Sequence, residues 1–234
     1  MDVDLNCDLG EGCPHDAELM AMITSANVAC GGHAGDLATA LVTLELAGEY
    51  GAQVGAHPGF LDRESFGRRE LELPEERIYL ECHTQLAVLA DLAVIAGVTV
   101  RYVKPHGALY NMACREEGVA RPVVRLAEEH RLAVMGLPGS ALALACAARV
   151  PFVAEGFADR RYRPDGSLVP RSQHDAFVED ATKAVRQAEW LLRERGVQTL
   201  CVHGDNPEAL TFVRALRDGL ARAGWVPKPF EVEG

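Results

Sequence analysis

Short apolar runs alternate with longer helical stretches along the chain, and this alternation constrains the fold more than any other feature. Seven runs have the length and composition of buried strands. They are residues 3–7, 26–29, 53–56, 99–103, 133–137, 152–154 and 199–202. The stretches that follow them predict helices at 17–23, 37–50, 77–96, 119–130, 140–148, 177–195 and 207–223. Seven β-then-α units predict a parallel sheet with helices outside it.

A parallel sheet either stays open or closes into a barrel, and the positions of the polar residues favour the barrel. In an open sheet the site residues concentrate at one switch point, whereas in a barrel every strand end faces one mouth. Polar residues follow six of the seven runs, all except the fifth. The sequence therefore predicts an α/β fold with a seven-stranded parallel β/α barrel, formed by residues 1–234 as one domain. A doubly wound open sheet is the alternative.

Four histidines have nearly the same local sequence, each after a predicted strand and each close to glycine. The segments are CGGHAGD at 30–36, GAHPG at 55–59, KPHG at 104–107 and VHGD at 202–205. Glycine lets backbone or ligand approach closely. The pattern predicts that His33, His57, His106 and His203 mark one polar site built by several segments.

Acidic and amide side chains follow the first strand and lie within the second. Asn6, Asp8 and Glu11 belong to the segment NCDLGEG at 6–12. Asp8 and Glu11 are suited to act as metal ligand, general base or orienting acid, although a solvated, capped turn is the alternative. Asn27 lies in a run of small residues and is predicted to point inward and hydrogen-bond a substrate.

Lys104 is one of only three lysines in a chain with 23 basic residues. Pro105 cannot donate a sheet hydrogen bond, so the fourth strand must end there and Lys104 is predicted at the barrel mouth. A partly buried lysine can bind a carboxylate or stabilise developing negative charge. The alternative is a side chain that extends to solvent; we favour the functional role.

Two long predicted loops, about 57–74 and 155–176, are rich in arginine. They contain FGRR at 66–69 and EGFADRRY at 155–162. Arginine suits the recognition of carboxylate or phosphate, and long loops in compact domains are often functional. Arg68, Asp159 and Arg160 are thus candidates, with ordinary surface charge as the alternative.

A divalent metal is compatible with the histidines and carboxylates, but the spacing is dispersed and lacks HExxH and HxH. The candidate ligands are Asp8, His33, His57 and His106, and hydrogen-bonding roles remain the alternative. The net charge of -11 argues against nucleic acid and anionic membranes as partners. GxxxxGK[ST] and GxSxG are absent. Seven cysteines without a CxxC pair indicate a reduced, cytoplasmic protein.

Seven segments together resemble the LamB/YcsF family of lactam-utilisation proteins, described as the A component of the three-component prokaryotic 5-oxoprolinase. They follow the family's order over essentially the whole chain: DLNCDLGE at 4–11, SANVACGGHAGD at 25–36, GAHPG at 55–59, FGRR at 66–69, residues 103–111, FADR at 157–160 and VHGD at 202–205. The family usually has an aromatic residue where Gly32 stands, which predicts looser packing beside His33.

The resemblance implies a barrel related to the glycoside hydrolase/deacetylase fold. It also implies ATP-dependent opening of 5-oxo-L-proline to L-glutamate, with ATP as the cofactor and 5-oxoprolinase subunits B and C as partners. The expected catalytic residues are Asp8, Glu11, His57, Lys104 and His106. The expected substrate-binding residues are Asn6, Asn27, His33, Arg68, Asn111, Asp159, Arg160, His203 and Asp205.

Two other functions stay open at this point. One is a stand-alone metal-dependent amidohydrolase or deacetylase, which relatives of this fold would allow. The other is a substrate-binding protein without catalytic activity. The oligomeric state is also open, and a homo-oligomer is compatible with the sequence.

Overall fold

Seven parallel strands close into a barrel in the computed structural model, which describes residues 1–171, 173–178, 180–202 and 209–231. The strands are β1 (Asp2–Leu9), β2 (Ser25–Ala29), β3 (Gln53–His57), β4 (Val100–Val103), β5 (Ala133–Gly136), β6 (Phe152–Phe157) and β7 (Thr199–Val202). Each pairs with the next along the chain, and β1 pairs with both β2 and β7. These two pairings close the barrel and confirm the predicted fold class.

Helices surround the barrel and connect successive strands. They are α1 (Asp16–Met20), α2 (Leu37–Tyr50), α3 (Glu75–Ala96), α4 (Gly107–Arg115), α5 (Glu117–His130), α6 (Ala141–Cys146), α7 (Ala181–Glu194) and α8 (Ala209–Arg222). A two-residue strand, β8 (Val226–Pro227), pairs with the start of β1 outside the closed barrel. By length and hydropathy α3 resembles a membrane span, and seven of its residues are buried.

Two of these elements, α4 and β8, were not predicted, and some boundaries differ. The sequence pattern gave the segment of α4 neither a helix nor a strand, yet its apolar residues are buried against the core. The predicted helix at 177–195 begins only at Ala181, because Phe177 forms an antiparallel bridge with Arg160 instead. Strand β6 extends three residues beyond its predicted end, which brings Glu155 into the barrel wall.

Side chains alternate along β1 between the helices and the barrel interior, as expected for a strand. Leu5 and Leu9 belong to the main apolar cluster. Asp4 and Asn6, on either side of Leu5 in the sequence, are buried and form hydrogen bonds with side chains of β2 and β7. The interior of the barrel is therefore polar along this wall.

At the amino-terminal end of the strands, aromatic side chains close the barrel. The rings of Tyr102 and Phe230 meet edge to face with centroids 5.3 Å apart. Gly55 makes room for the tyrosine, because a Cβ at this position would lie 2.1 Å from Tyr102 Cε2. The opposite end, where the strands terminate, carries the polar cluster described next.

Candidate functional site

A carboxylate and three imidazoles converge at the mouth of the barrel. Glu11 Oε1 lies 3.0 Å from His33 Nε2, 3.3 Å from His106 Nδ1 and 3.9 Å from His57 Nε2. All three histidines are buried, and the Glu11 side chain is 6% exposed. The cluster is therefore nearly enclosed by protein.

The turn after β1 carries Glu11 over the mouth. Gly10 adopts a left-handed conformation (φ 73°), which glycine tolerates without steric cost. Its N–H donates to Asp16 Oδ2 at the start of α1, at 2.8 Å. The turn is fixed at both ends, and the carboxylate of Glu11 is held against the histidines.

Two backbone carbonyls orient the rings of His57 and His106. The Lys104 carbonyl oxygen is 2.8 Å from His57 Nδ1, and the Phe66 carbonyl oxygen is 2.9 Å from His106 Nε2. The remaining nitrogens, His57 Nε2 and His106 Nδ1, face each other at 3.0 Å. His33 stacks on His106 with ring centroids 3.6 Å apart and planes within 2°.

Burial favours the neutral form of two of these imidazoles. Burial lowers the pKa of His33 to about 4, against the opposing effect of Glu11, and also lowers the pKa of His106. At neutral pH the imidazoles of His33 and His106 are therefore neutral.

Lys104 lies below the cluster and connects two carboxylates. Its Nζ is 2.9 Å from Asp8 Oδ1, 2.8 Å from Glu155 Oε1 and 3.2 Å from Cys201 Sγ. Burial would lower the pKa of the lysine, but Asp8, Cys201 and Glu155 raise it well above its ordinary value. Lys104 is therefore a buried ammonium group paired with two carboxylates.

Asp8 connects this lysine to the histidines. Its Oδ1 accepts hydrogen bonds from Lys104 and from Asn27 Nδ2, the latter at 2.8 Å. Its Oδ2 lies 3.3 Å from His57 Nε2. One oxygen of the carboxylate is thus held from below, and the other is directed toward the cluster.

A column of side-chain hydrogen bonds extends from Asp8 through the barrel. Asn27 Nδ2 also donates to Asn6 Oδ1 at 2.7 Å, and Asn6 Nδ2 donates to Thr199 Oγ1 at 2.8 Å. Thr199 in turn donates to Asp4, near the opposite end of the barrel. Burial raises the pKa of Asp4 to about 6, despite hydrogen bonds from Thr199 and other hydroxyls that lower it.

The loop between β3 and α3 covers the histidines. Phe66 adopts a left-handed conformation (φ 54°) that is uncommon for a bulky residue, and in it the Phe66 carbonyl reaches His106. Gly67 follows with φ 62°, and a Cβ there would lie 2.7 Å from His33 Cβ. The first long loop is therefore in direct contact with the site.

Most predicted site residues from the first four strands come together at this mouth. They are Asn6, Asp8, Glu11, Asn27, His33, His57, Lys104 and His106. The predicted packing defect beside His33 is wrong, because the Gln85 amide occupies the space that a Cβ at Gly32 would need, 2.3 Å from Gln85 Oε1. Gln85 also hydrogen-bonds both backbone groups of Gly59.

Other predicted residues lie away from the cluster. Asn111 is exposed and donates to the Gly107 carbonyl within α4. Arg160 is buried, donates to the Val169 carbonyl at 2.6 Å and lies over the Phe177 ring, contacts that organise its own loop. Burial lowers the pKa of Arg160 to about 10.

Four predicted site residues remain, two of them in flanking loops. Arg68 is exposed and lies 4.9 Å from the centroid of the Phe66 ring. Asp159 follows β6 by two residues. His203 and Asp205 lie outside the described residues.

Glu155 and Cys201 belong to the site but were not predicted. Glu155 is fully buried, and its ion pair with Lys104 balances part of the lysine charge. A signal was present in the sequence, because a glutamate within the apolar run FVAEGF requires a buried partner. Cys201 lies within the apolar run 199–202, and only the fold places its sulfur beside the ammonium group of Lys104.

The cluster has the composition and spacing of a divalent metal site. Glu11, His33, His57 and His106 each offer a ligand atom, and these atoms lie within 4.8 Å of one another. The three histidines were among the predicted ligands, and the structure adds Glu11 to them. Nitrogen and carboxylate ligands suit zinc and similar ions.

Comparison with known proteins gives a family match over nearly the whole chain. The model of the LamB/YcsF family matches residues 3–233. A lactam utilization protein from Thermus thermophilus is 35% identical, with a TM-score of 0.91, and the match covers 98% of this chain and 100% of that chain.

More distant structures share the fold alone. A polysaccharide deacetylase from Bacillus cereus matches with 14% identity and a TM-score of 0.57, over 99% of this chain and 93% of that chain. A family 4 carbohydrate esterase from Streptomyces lividans, in complex with acetate, matches with 12% identity and a TM-score of 0.52, over 98% of this chain and 93% of that chain. The predicted relation to deacetylase barrels is confirmed at the level of architecture.

Proposed function

The chain belongs to the LamB/YcsF family, and on that premise we propose that it is the A component of an ATP-dependent 5-oxoprolinase. The reaction opens the lactam of 5-oxo-L-proline to L-glutamate, with ATP converted to ADP and phosphate. The observation that carries the proposal is the enclosed cluster of Asp8, Glu11, His57 and His106 at the barrel mouth. It offers acceptor atoms that can take protons from water, beside a loop that can cover a small substrate.

The chemistry has to overcome the stability of an unstrained amide. Transfer of the γ-phosphoryl group of ATP to the lactam oxygen releases ADP and activates the ring carbon. A water molecule adds to this carbon and loses a proton to the cluster, and the ring C–N bond then breaks with its nitrogen protonated. Hydrolysis of the resulting acyl phosphate by a second water yields glutamate and phosphate.

Individual residues support these steps in different ways. Lys104 is paired with Asp8 and Glu155 inside the barrel, so the role its position supports is to orient Asp8. We assign the substrate carboxylate to Arg68, an exposed residue in the loop over the mouth. His33, which donates to Glu11, would hold the Glu11 carboxylate in place.

The proposal includes ATP and two partner proteins, subunits B and C. The sequence lacks GxxxxGK[ST], so we assign the binding of nucleotide phosphates wholly or partly to subunits B and C. We also propose a cytoplasmic location, in keeping with seven free cysteines, and a single barrel domain over residues 1–234.

Reconstitution tests this function. Subunits B and C are combined with the wild-type chain, and glutamate formation is followed with 5-oxoproline and ATP. We expect turnover only with all three proteins, a loss of at least about 100-fold in kcat for Asp8→Asn, and little effect of the exposed control Lys183→Ala on α7. Full turnover by this chain alone would contradict the division of labour, and full activity of the Asp8→Asn complex would contradict a catalytic role.

A second candidate function is a stand-alone metal-dependent amidohydrolase, and the metal-like cluster of Glu11, His33, His57 and His106 favours it. Such an enzyme would hydrolyse an amide or an acetyl group without ATP and without partners. Assay of the purified chain with a divalent metal on 5-oxoproline and on N-acetyl sugars distinguishes the two. Activity that is independent of ATP and abolished by a chelator would support this candidate.

A further inference from the structure

Two imidazole nitrogens face each other at 3.0 Å, and the other nitrogen of each ring contacts a backbone carbonyl. A carbonyl oxygen only accepts, so the contacts with the Lys104 and Phe66 carbonyls place the ring hydrogens on His57 Nδ1 and His106 Nε2. A neutral imidazole has one N–H, which leaves lone pairs on His57 Nε2 and His106 Nδ1. These two nitrogens are 3.0 Å apart, a distance at which facing lone pairs require a positive charge nearby.

Carboxylate oxygens complete the same group of electron-pair donors. Glu11 Oε1 is 3.3 Å from His106 Nδ1 and 3.9 Å from His57 Nε2, and Asp8 Oδ2 is 3.3 Å from His57 Nε2. Four ligands arranged tetrahedrally at about 2.0–2.1 Å from one ion lie about 3.3–3.4 Å from each other. The observed separations of 3.0 to 3.9 Å bracket that value.

The geometry of His33 gives it a different role. Its ring is parallel to that of His106, with centroids 3.6 Å apart. An ion in the plane of the His106 ring is therefore far out of the plane of His33, and a lone pair of an imidazole lies in its ring plane. The His57 ring is tilted by 86° from His106, which allows both rings to direct a nitrogen at one point.

The charge of the surroundings also calls for a cation. Asp8, Glu11 and Glu155 carry three formal negative charges, and Lys104 supplies one positive charge among these four residues. Their side chains are 0–15% exposed, so water screens them poorly. A divalent ion brings this group to neutrality.

We propose that Asp8, Glu11, His57 and His106 bind one divalent transition-metal ion of the zinc, cobalt or iron class. His33 is a positioning residue that donates from Nε2 to Glu11 at 3.0 Å. The binding of the ion does not depend on which amide is cleaved. Its use in activating water rests on the proposed function.

Metal binding by the untagged full-length chain tests the site directly. The chain is stripped with a chelator and titrated with Zn²⁺ and, separately, with Co²⁺. We expect one equivalent to bind, and we expect Co²⁺ to develop visible d–d absorption with X-ray absorption showing two imidazole ligands. Binding of Zn²⁺ should raise the thermal midpoint of the chain.

The metal affinities of substituted chains distinguish the proposed ligands from neighbouring residues. We expect His57→Ala and His106→Ala to lose binding by at least about 100-fold, and His33→Gln to keep the stoichiometry with an affinity about 10–100-fold weaker. The control His83→Ala, on the outer helix α3, should bind like the wild type. Circular dichroism reports whether each variant is folded, and the wild-type cobalt spectrum tests the ligand set without any substitution.

The outcomes that contradict the metal site differ from the outcome that contradicts the proposed function. A wild-type chain that binds no metal more tightly than His106→Ala excludes the site, and three imidazoles around Co²⁺ exclude the role given to His33. A metal-loaded chain that supports no lactam opening with subunits B and C would contradict the proposed function only. Full lactam opening by a complex containing a chain that binds no metal would contradict this inference only.

Discussion

At the scale of single residues, Lys104 shows how charge is used in this barrel. Sequence reasoning offered two roles, either binding a carboxylate or stabilising developing negative charge, or else extension to solvent, and the burial of Lys104 excludes extension to solvent. The ammonium group is buried between Asp8 and Glu155, so its charge is used within the protein. The lysine therefore stabilises the fold and orients Asp8 at the same time.

Replacement of this lysine should destabilise the protein strongly. Lys104→Met leaves the two buried carboxylates without a counter-charge, and we expect a loss of about 3–5 kcal/mol in the free energy of unfolding. Lys104→Met combined with Glu155→Gln should recover part of it, while Lys183→Met on the surface should change it by less than about 0.5 kcal/mol. Urea denaturation measures all three, and a loss below about 1 kcal/mol for the single variant contradicts the buried pair.

Asp4 should make the free energy of unfolding decrease as pH rises. Burial raises its pKa from 3.8 to about 6, so between these values the folded protein keeps a proton that the unfolded chain has lost. Its contribution to stability is therefore complete below pH 3.8 and falls as pH rises toward 6, by about 3 kcal/mol in total. We expect Asp4→Asn to lack this decline when the free energies of unfolding at about pH 4.5 and pH 7 are compared. Equal declines in both proteins would assign the effect to other groups.

At the scale of elements, the loop between β3 and α3 connects the barrel wall to the histidines of the site. It presents the Phe66 carbonyl to His106 and places Gly67 against the His33 ring. Both residues have positive φ values, and Ala108 N–H donates to the Gly67 carbonyl at 2.9 Å. The loop is thereby attached to the start of α4.

A matched pair of glycine substitutions measures how close this contact is. Gly51 and Gly67 have similar backbone angles (φ 70° and 62°), but a Cβ at Gly51 meets nothing within 4 Å. We expect Gly51→Ala to cost about 1 kcal/mol, and Gly67→Ala about 1–3 kcal/mol more. The same stability loss for both variants, measured by urea denaturation, would show that the loop yields easily.

The sequence predicted the strands and helices better than it predicted the contacts between side chains. All seven barrel strands and the surrounding helices except α4 follow from apolar periodicity, and the glycine-flanked histidines located the mouth. The pairing of Lys104 with Glu155 was not accessible, because it depends on which positions of β4 and β6 share the interior. The stacking of His33 on His106 depends on a loop conformation with positive φ at Phe66, which the periodicity of apolar residues does not encode.

At the scale of the whole molecule, the first strand and the segment after the last helix meet at the closed end of the barrel. Strand β8 pairs with the start of β1, and Phe230 then packs on Tyr102. The Gln53 side chain donates to the Phe230 carbonyl at 2.8 Å and fixes this segment to β3. The segment that follows the last helix thus belongs to the core.

Loss of the contact between Phe230 and Tyr102 should destabilise the entire domain. Phe230→Ala leaves a cavity beside Tyr102, and we expect it to cost about 3–5 kcal/mol. Val226→Ala, in the same segment but 58% exposed, should cost less than about 0.5 kcal/mol. Chemical denaturation with an unchanged m-value is expected for both. A similar small loss for the two variants would place Phe230 outside the cooperative core.

The polar column from Asp4 to Asp8 has a consequence for anyone who would engineer this protein. Most barrels of this architecture fill their centre with branched aliphatic layers, which a designer can exchange for better-packed ones. In this barrel the polar side chains that fill the centre also hold Asp8 in place at the mouth. Apolar substitutions of Asn6, Asn27 or Thr199 that improve packing will also remove the hydrogen bonds that position Asp8. Stabilising substitutions are therefore better placed in the outer helices than in the barrel interior.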